Sequence, residues 1–170
     1  RAMDSGSNLG ADDGDARTQA RNMALAQAVG RVEAILGVTG EPVARPLLVV
    51  LCGLPGSGKS FLARRLQPHL SAVIVETDHV RHILFAKPLY TGGENAWVYA
   101  VCHALIARLL SKSYPVIFDA TNLVERNREV LYNMADRMHA KLVLVHVVAP
   151  EETIRERLLD RMQHPHPGNH

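Results

Sequence analysis

A glycine-rich segment with a lysine and a serine at fixed spacing is the strongest chemical signal in the sequence. Residues 53–60 match the phosphate-binding P-loop pattern G-x-x-x-x-G-K-[ST]. Its glycines allow the backbone to curl with the N–H groups turned inward, and these donors at the start of a helix attract phosphate anions. The predicted nucleotide-binding residues are Gly53, Leu54, Pro55, Gly56, Ser57, Gly58, Lys59, Ser60 and Phe61.

The last two residues of this pattern carry the predicted ATP and Mg²⁺ chemistry. Lys59 can place a positive charge on the β and γ phosphates, and the Ser60 hydroxyl can ligate Mg²⁺. The alternative is a glycine-rich turn in which Lys-Ser occurs by chance. An apolar run before the pattern and a helical pattern after it favour the P-loop.

Two aspartates lie where a parallel sheet presents functional groups. Asp78 follows the second predicted strand and Asp119 ends the third, and ligands bind beyond the carboxyl ends of such strands. An apolar run that ends in a carboxylate is typical of a Mg²⁺ ligand in P-loop enzymes, so Asp119 joins Ser60 as a predicted metal ligand. The alternative for Asp119 is capping of the turn at Thr121 and Asn122.

Asp78 and Arg81 are three residues apart, which places both on one face of a helix. Next to a P-loop, Asp78 can accept the proton of an attacking hydroxyl as the general base of phosphoryl transfer. Arg81 can then bind an anionic acceptor. The alternative is a first-turn aspartate that stabilises the helix beside a surface arginine.

Arginines cluster in the last predicted helix, where Arg157 and Arg161 are four residues apart. Such like-charged pairs are mildly unfavourable in isolation, so one interpretation is a lid that brings positive charge over a transferring phosphate. The alternative is a solvated face of salt bridges, because acidic residues alternate with the arginines. These acids are Glu152, Glu156 and Asp160.

The elements that position these residues follow from the apolar pattern. Short apolar runs predict strands at 47–52, 72–76, 115–119 and 141–148, with helical spacing between them. The predicted fold class is α/β, a three-layer P-loop NTPase fold in which helices flank a parallel sheet, with an extra N-terminal helix. We expect Pro68 to shorten the helix after the P-loop.

Three segments are expected along the chain. Residues 1–20 are polar and glycine-rich, which predicts a disordered tail. Residues 21–45 are predicted to be a helix, Arg21–Leu36, and a linker, with the apolar face of the helix packed on the chain's own core. Residues 46–170 are predicted to form the P-loop domain.

Length and composition narrow the class of protein. The 170 residues are 47% hydrophobic, which is enough for one domain with a core and an added segment. A formal charge of +2 permits an anionic substrate but is too small for a strongly basic nucleic-acid-binding stripe. The sequence shows no membrane-spanning stretch and no signal-peptide pattern, which fits a cytoplasmic protein without membrane contact.

Together these segments resemble the P-loop kinases that include polynucleotide 5′-hydroxyl kinases, zeta-toxin-like enzymes and chloramphenicol phosphotransferase. The resemblance covers about residues 47–161 and depends on the P-loop, D-x-x-R at 78–81, D-A-T-N at 119–122 and the lid arginines. It implies an ATP-dependent kinase whose acceptor is a hydroxyl on a nucleic-acid end or a small metabolite. The implied catalytic residues are Lys59, Asp78, Arg81, Arg157 and Arg161. The implied acceptor-binding residues are Asp78, Arg81, Asp119, Thr121, Asn122 and Arg128.

Two alternatives stay open. Adenosine-5′-phosphosulfate kinases share the segment at 78–82, which makes adenosine-5′-phosphosulfate an alternative acceptor. A P-loop ATPase or nucleotide-dependent switch that signals to a partner through the helix Arg21–Leu36 is an alternative function, whereas the absence of N-K-x-D disfavours a GTPase. Kinases of this build usually continue into another helix and a fifth strand, so either the lid is minimal or the C-terminal end is incomplete.

Overall fold

A four-stranded parallel sheet forms the centre of the protein in a computed structural model that describes residues 9–38 and 40–164. The strand order is β2-β3-β1-β4, with β1 at Leu47–Cys52, β2 at Val73–Glu76, β3 at Val116–Asp119 and β4 at Lys141–His146. The two central strands are almost fully buried, as parallel strands covered on both faces require. The predicted parallel sheet is therefore confirmed.

Six described helices accompany the sheet in the predicted alternation. They are α1 (Leu9–Leu36), α2 (Lys59–Leu70), α3 (Thr77–Leu84), α4 (Gly92–Ser111), α5 (Glu125–Arg137) and α6 (Glu151–Gln163). Alternate residues of β1 point to opposite faces, so Leu48 and Val50 pack with α1, α3, α4 and α5 whereas Val49 and Leu51 pack with α2. This arrangement confirms the three layers and the extra N-terminal helix. None of the described helices is both long and apolar enough to cross a bilayer.

The first helix is longer than its apolar pattern predicts. It begins at Leu9, whereas we predicted a tail up to residue 20; residues 1–8 lie outside the described part of the chain. Val29 and Val32 are buried against the core and anchor the C-terminal half, as expected. Residues 14–24 are all exposed, so their polar composition reflects a solvated helix rather than a disordered tail. Once an anchored turn exists, each further helical residue adds a hydrogen bond without a new nucleation cost.

Pro68 also behaves differently from the prediction. It lies inside α2, which continues to Leu70 rather than stopping before the proline. The helix ends at Ser71, whose left-handed backbone (φ 47°) donates a hydrogen bond from its N–H to the carbonyl of Gln67. Pro68 has no N–H to donate to the carbonyl of Arg64, so the helix lacks one hydrogen bond two residues before its end.

The register of the strands brings their polar ends to one rim. Asp119 of β3 pairs with Leu51 of β1 on one side and with Glu76 of β2 on the other. The P-loop begins at Gly53, directly after the end of β1, and α3 begins at Thr77, directly after β2. The sheet therefore delivers the P-loop, Asp78 and Asp119 to the same edge.

Candidate active site

The P-loop backbone turns sharply in positions that only glycine fits well. Gly56 and Gly58 have φ angles of 83° and 104°, in the left-handed region. Gly53 also has a positive φ of 153°, and a Cβ there would lie 2.4 Å from the carbonyl oxygen of Val147. The N–H of Gly53 donates to the carbonyl of Thr121 at 3.0 Å, which joins the start of the P-loop to the loop after β3.

The N-terminus of α2 leaves donors for an anion. Gly58 is the N-cap and makes no side-chain capping hydrogen bond, so the first N–H groups of the helix have no side-chain acceptor. The buried side chain of Lys59 donates from Nζ to the carbonyl of Leu54 at 2.9 Å. Burial lowers the pKa of Lys59, and the nearby Asp119 carboxylate opposes this effect.

A pair of carboxylates lies beside the Ser60 hydroxyl. Burial raises the pKa of Asp119, whereas a hydrogen bond with Ser60 and the charge of Lys59 act to lower it. Its Oδ2 atom is buried and has no hydrogen-bond partner among the described residues. Burial, followed by the charges of Asp119 and Asp78, raises the pKa of Glu76 to about 7. Both carboxyl groups therefore interact with the Ser60 hydroxyl and with each other.

Asp78 and Arg81 differ sharply in exposure. Asp78 lies in the first turn of α3 with its side chain 54% exposed, whereas the side chain of Arg81 is only 5% exposed. The Arg81 guanidinium donates from Nη1 to Glu94 at 2.6 Å and from Nη2 to Asn95 at 2.7 Å. Arg81 therefore lies behind Asp78, paired with α4.

The last described helix lies over the P-loop. Arg157 donates from Nη1 to the carbonyl of Gly56 at 3.0 Å. A Cβ at Gly56 would also come within 3.5 Å of the side chains of Ile154 and Leu158. No residue of α6 is buried, so this helix covers the loop without joining the core.

These groups line a single cleft of about 590 Å³. It brings together the P-loop, the two aspartates at the strand ends and the arginines of α6. Of the predicted site residues, those that line it are Pro55, Gly56, Ser57, Gly58, Lys59, Ser60, Phe61, Asp78, Asp119, Thr121, Arg157 and Arg161.

The segment that forms the sheet and the cleft also matches known proteins. A family model described as an AAA domain matches residues 48–168, which is well over half of the sequence. The chain belongs to this AAA domain family. The resemblance to P-loop kinases is confirmed for the same region, in which this AAA domain carries its P-loop and both aspartates.

The chain is also similar to a named kinase and to KTI12 proteins. The chain is 26% identical over 122 residues to the L-seryl-tRNA(Sec) kinase of Methanococcus maripaludis, covering 69% of this chain and 47% of that protein. It is 37% identical over 110 residues to the human protein KTI12 homolog, covering 61% and 30%. Among solved structures it resembles Chaetomium thermophilum Kti12 in complex with ADP-AlF3, with a TM-score of 0.56, 25% identity and 68% of each chain covered. The chain thus spans half or less of these two curated relatives.

Not every predicted acceptor residue of the AAA domain faces the cleft. Asn122 is fully buried, with a left-handed φ of 48°, and donates from Nδ2 to the carbonyl of Leu51 at 2.8 Å. Arg128 donates from Nη1 to the carbonyls of Asn122 and Leu123. The side chains of Asn122 and Arg128 therefore hold the loop that carries Thr121. Like them, Arg81 is not among the residues that line the cleft. Their acceptor contacts stay predictions.

Three polar residues of the AAA domain cleft were not predicted from the sequence. Glu76, Thr77 and Arg64 all line it. Glu76 is the last residue of β2, and the rule that selected Asp119 at the end of β3 could have selected it as well. Arg64 follows Ser60 by four residues on α2, so helical spacing could have indicated the same face.

Proposed function

We propose that this AAA domain is an ATP-dependent kinase that transfers the γ-phosphoryl group to a hydroxyl acceptor, with Asp78 as the general base. The observation that carries the proposal is the shared cleft. A phosphate-binding P-loop and an exposed carboxylate that no described hydrogen bond occupies line the same space. Phosphoryl transfer needs mainly positioning and charge stabilisation, and this cleft supplies both.

The reaction follows from where each group lies. The acceptor oxygen attacks the γ-phosphorus, the bond from that phosphorus to the β,γ-bridging oxygen breaks, and its electron pair leaves with ADP. Asp78 takes the proton of the hydroxyl. Lys59, Arg157 and Arg161 line the cleft together with the P-loop, and their charges can stabilise negative charge on the transferring group.

The residues beside α2 fit Mg²⁺. Ser60 offers a hydroxyl and Asp119 an unpartnered, buried carboxylate oxygen, which are the hard oxygen ligands that this ion prefers. The described residues contain no group of three or more His, Cys, Asp or Glu side chains that could hold a metal alone, so phosphate and water would complete the ligand set. When bound, Mg²⁺ neutralises charge on the β and γ phosphates.

The acceptor class can be sought among hydroxyl compounds that carry negative charge. One relative is by name a kinase of a seryl-tRNA, which supports an acceptor attached to nucleic acid. The cleft residue Arg64 and the formal charge of +2 also suit an anionic acceptor. A small metabolite and adenosine-5′-phosphosulfate remain the alternatives.

A second candidate function is a nucleotide-dependent ATPase or switch that acts on a partner. The observation that favours it is the exposed stretch 14–24 of α1, a solvated helical surface that makes no contact with the core. Such a protein would transfer the phosphoryl group to water and not to an acceptor hydroxyl.

Labelled ATP distinguishes the two functions. The protein is incubated with [γ-³²P]ATP, Mg²⁺ and separate acceptors: a 5′-hydroxyl oligonucleotide, seryl-tRNA, adenosine-5′-phosphosulfate and a set of small alcohols. Label on any acceptor supports the kinase. Release of all label as inorganic phosphate, with every acceptor unlabelled, contradicts it and supports the ATPase.

A further inference from the structure

We propose that Glu94, which lies outside the cleft, is a positioning residue: it fixes Arg81, and Arg81 in turn fixes the carboxylate of Asp78. This inference rests on the proposed function, because it concerns the group that takes the acceptor proton. It assigns a role to a residue that neither the P-loop pattern nor the resemblance indicates.

The two terminal nitrogens of Arg81 are both committed to α4. Nη1 lies 2.6 Å from Oε1 of Glu94, and Nη2 lies 2.7 Å from Oδ1 of Asn95. The side chains of Arg81 and Glu94 are only 5% and 7% exposed, so water screens their attraction poorly. A planar guanidinium held at two nitrogens has its third nitrogen fixed in direction as well.

That third nitrogen faces Asp78. Nε of Arg81 is buried, makes no hydrogen bond with any described residue, and lies 3.9 Å from Oδ1 of Asp78. A shift of about 1 Å by the exposed carboxylate would bring it to hydrogen-bond distance. A buried donor without an acceptor is unfavourable, which draws Asp78 towards this position.

Glu94 is itself held from a second side. Its Oε2 accepts a hydrogen bond from the N–H of Leu89 at 2.8 Å, and its own N–H donates to the Thr91 hydroxyl that caps α4. Burial acts to raise the pKa of Glu94, but the hydrogen bonds from the Leu89 backbone and from Arg81 outweigh it and lower that pKa. The carboxylate therefore keeps its charge and its direction.

Tyr90, in the loop before α4, lies over one face of the guanidinium. The Arg81 Cζ atom lies 4.5 Å from the centroid of the Tyr90 ring, a cation–π contact. Tyr90 has a left-handed φ of 54°, which is costly for an aromatic residue and indicates that its surroundings hold it there. Arg81 thus has contacts on its edge and on its face, and only Nε remains for Asp78.

A purely structural ion pair would not need this geometry. Two apolar side chains can join α3 to α4 as well as a buried ion pair can, and often more stably. The test therefore uses the double variant Arg81→Met/Glu94→Leu beside the single variant Glu94→Gln. Glu33→Gln is the matched control, because Glu33 also bridges to α4, through Arg108 at 2.9 Å and the C-cap residue Lys112 at 2.7 Å, and none of these three residues lines the cleft.

The measurement is total turnover of labelled ATP with a 5′-hydroxyl decanucleotide, counting label on the oligonucleotide and label released to water together. We expect Glu94→Gln to lower turnover at least about tenfold while the Kd for ATP changes less than about twofold. The double variant should unfold at or above the temperature of Glu94→Gln and yet stay equally slow. In an Asp78→Asn background, Glu94→Gln should cause little further loss, because both changes act through one group.

Several results would overturn the proposal. Full turnover in the double variant would show that the pair only joins two helices, and additive losses with Asp78→Asn would show that Glu94 acts elsewhere. A similar loss in Glu33→Gln would show that any weakening of the α4 contacts suffices. Wild-type turnover in which all label goes to water would contradict the proposed kinase function while leaving this comparison valid.

Discussion

The Nη1 atom of Arg157 lies 3.0 Å from the carbonyl oxygen of Gly56, across 101 residues of sequence. This contact places the exposed helix α6 directly over the P-loop. Because Arg161 lies one turn further and also lines the cleft, α6 presents two cations to the space where phosphates bind. The kinase proposal uses both for charge stabilisation.

Replacement of Arg157 should slow transfer more than it weakens nucleotide binding. We expect Arg157→Ala to lower kcat about a hundredfold, because a preorganised cationic donor near the transferring phosphate is lost. Arg155 is exposed on the same helix and does not line the cleft, so Arg155→Ala should stay within about twofold of wild type. Steady-state kinetics on both variants tests this, and equal effects would argue against a specific role for Arg157.

The buried P-loop lysine should be essential for turnover. We expect Lys59→Ala to lower ATP turnover by about a hundredfold or more, since the charge on the β and γ phosphates is lost. The control is Lys112→Ala, which removes a lysine that pairs with Glu33 on the opposite layer. Retention of near-normal turnover by Lys59→Ala would contradict the P-loop assignment.

Gly53 should tolerate no side chain. In Gly53→Ala the new Cβ would lie 2.4 Å from the Val147 carbonyl oxygen, so the backbone must shift. We expect a loss of about 1–3 kcal/mol in the free energy of unfolding, together with weaker ATP binding. Gly30→Ala is the control, because nothing lies within 4 Å of its Cβ in α1, and it should stabilise by about 0.5–1 kcal/mol.

The stability of the metal-free protein should depend on pH through the carboxyl group of Glu76. Its pKa is raised from 4.5 to about 7 in the folded protein, so between these values the folded state holds a proton that the unfolded state has lost. The free energy of unfolding should therefore fall as the pH rises from about 4.5 to about 7 and then level off. When the free energy of unfolding is measured with urea in EDTA, it should fall less with rising pH in Glu76→Gln than in the wild-type protein. Asp119 is present in both proteins, so its contribution is common to them. Identical pH profiles would contradict the raised pKa.

Local sequence patterns predicted the sheet and the cleft well, whereas ion pairs between residues distant in sequence could not be predicted. The P-loop and the two aspartates follow from spacing within a few residues and from the rule that parallel strands end at one rim, and the structure places them in one cleft. The partner of Arg81 was not predictable, because Glu94 lies 13 residues away across a loop whose conformation the sequence does not specify. The polar start of α1 was wrongly predicted to be a disordered tail. A polar composition indicates exposure to solvent, and an exposed helix and a disordered tail can have the same composition.

The role of Asp78 is the central claim, and one substitution tests it most directly. Asp78→Asn keeps the shape of the side chain and removes its capacity to accept a proton; Asp136→Asn makes the same change at an exposed site outside the cleft. Transfer of label from ATP to the acceptor identified in the panel is measured in single turnover, with the Kd for ATP measured separately. We predict that Asp78→Asn loses about 10²–10⁴-fold in transfer rate at nearly unchanged ATP affinity, whereas Asp136→Asn matches wild type. An Asp78→Asn protein that transfers phosphate at the wild-type rate would contradict the assignment of Asp78 as the general base.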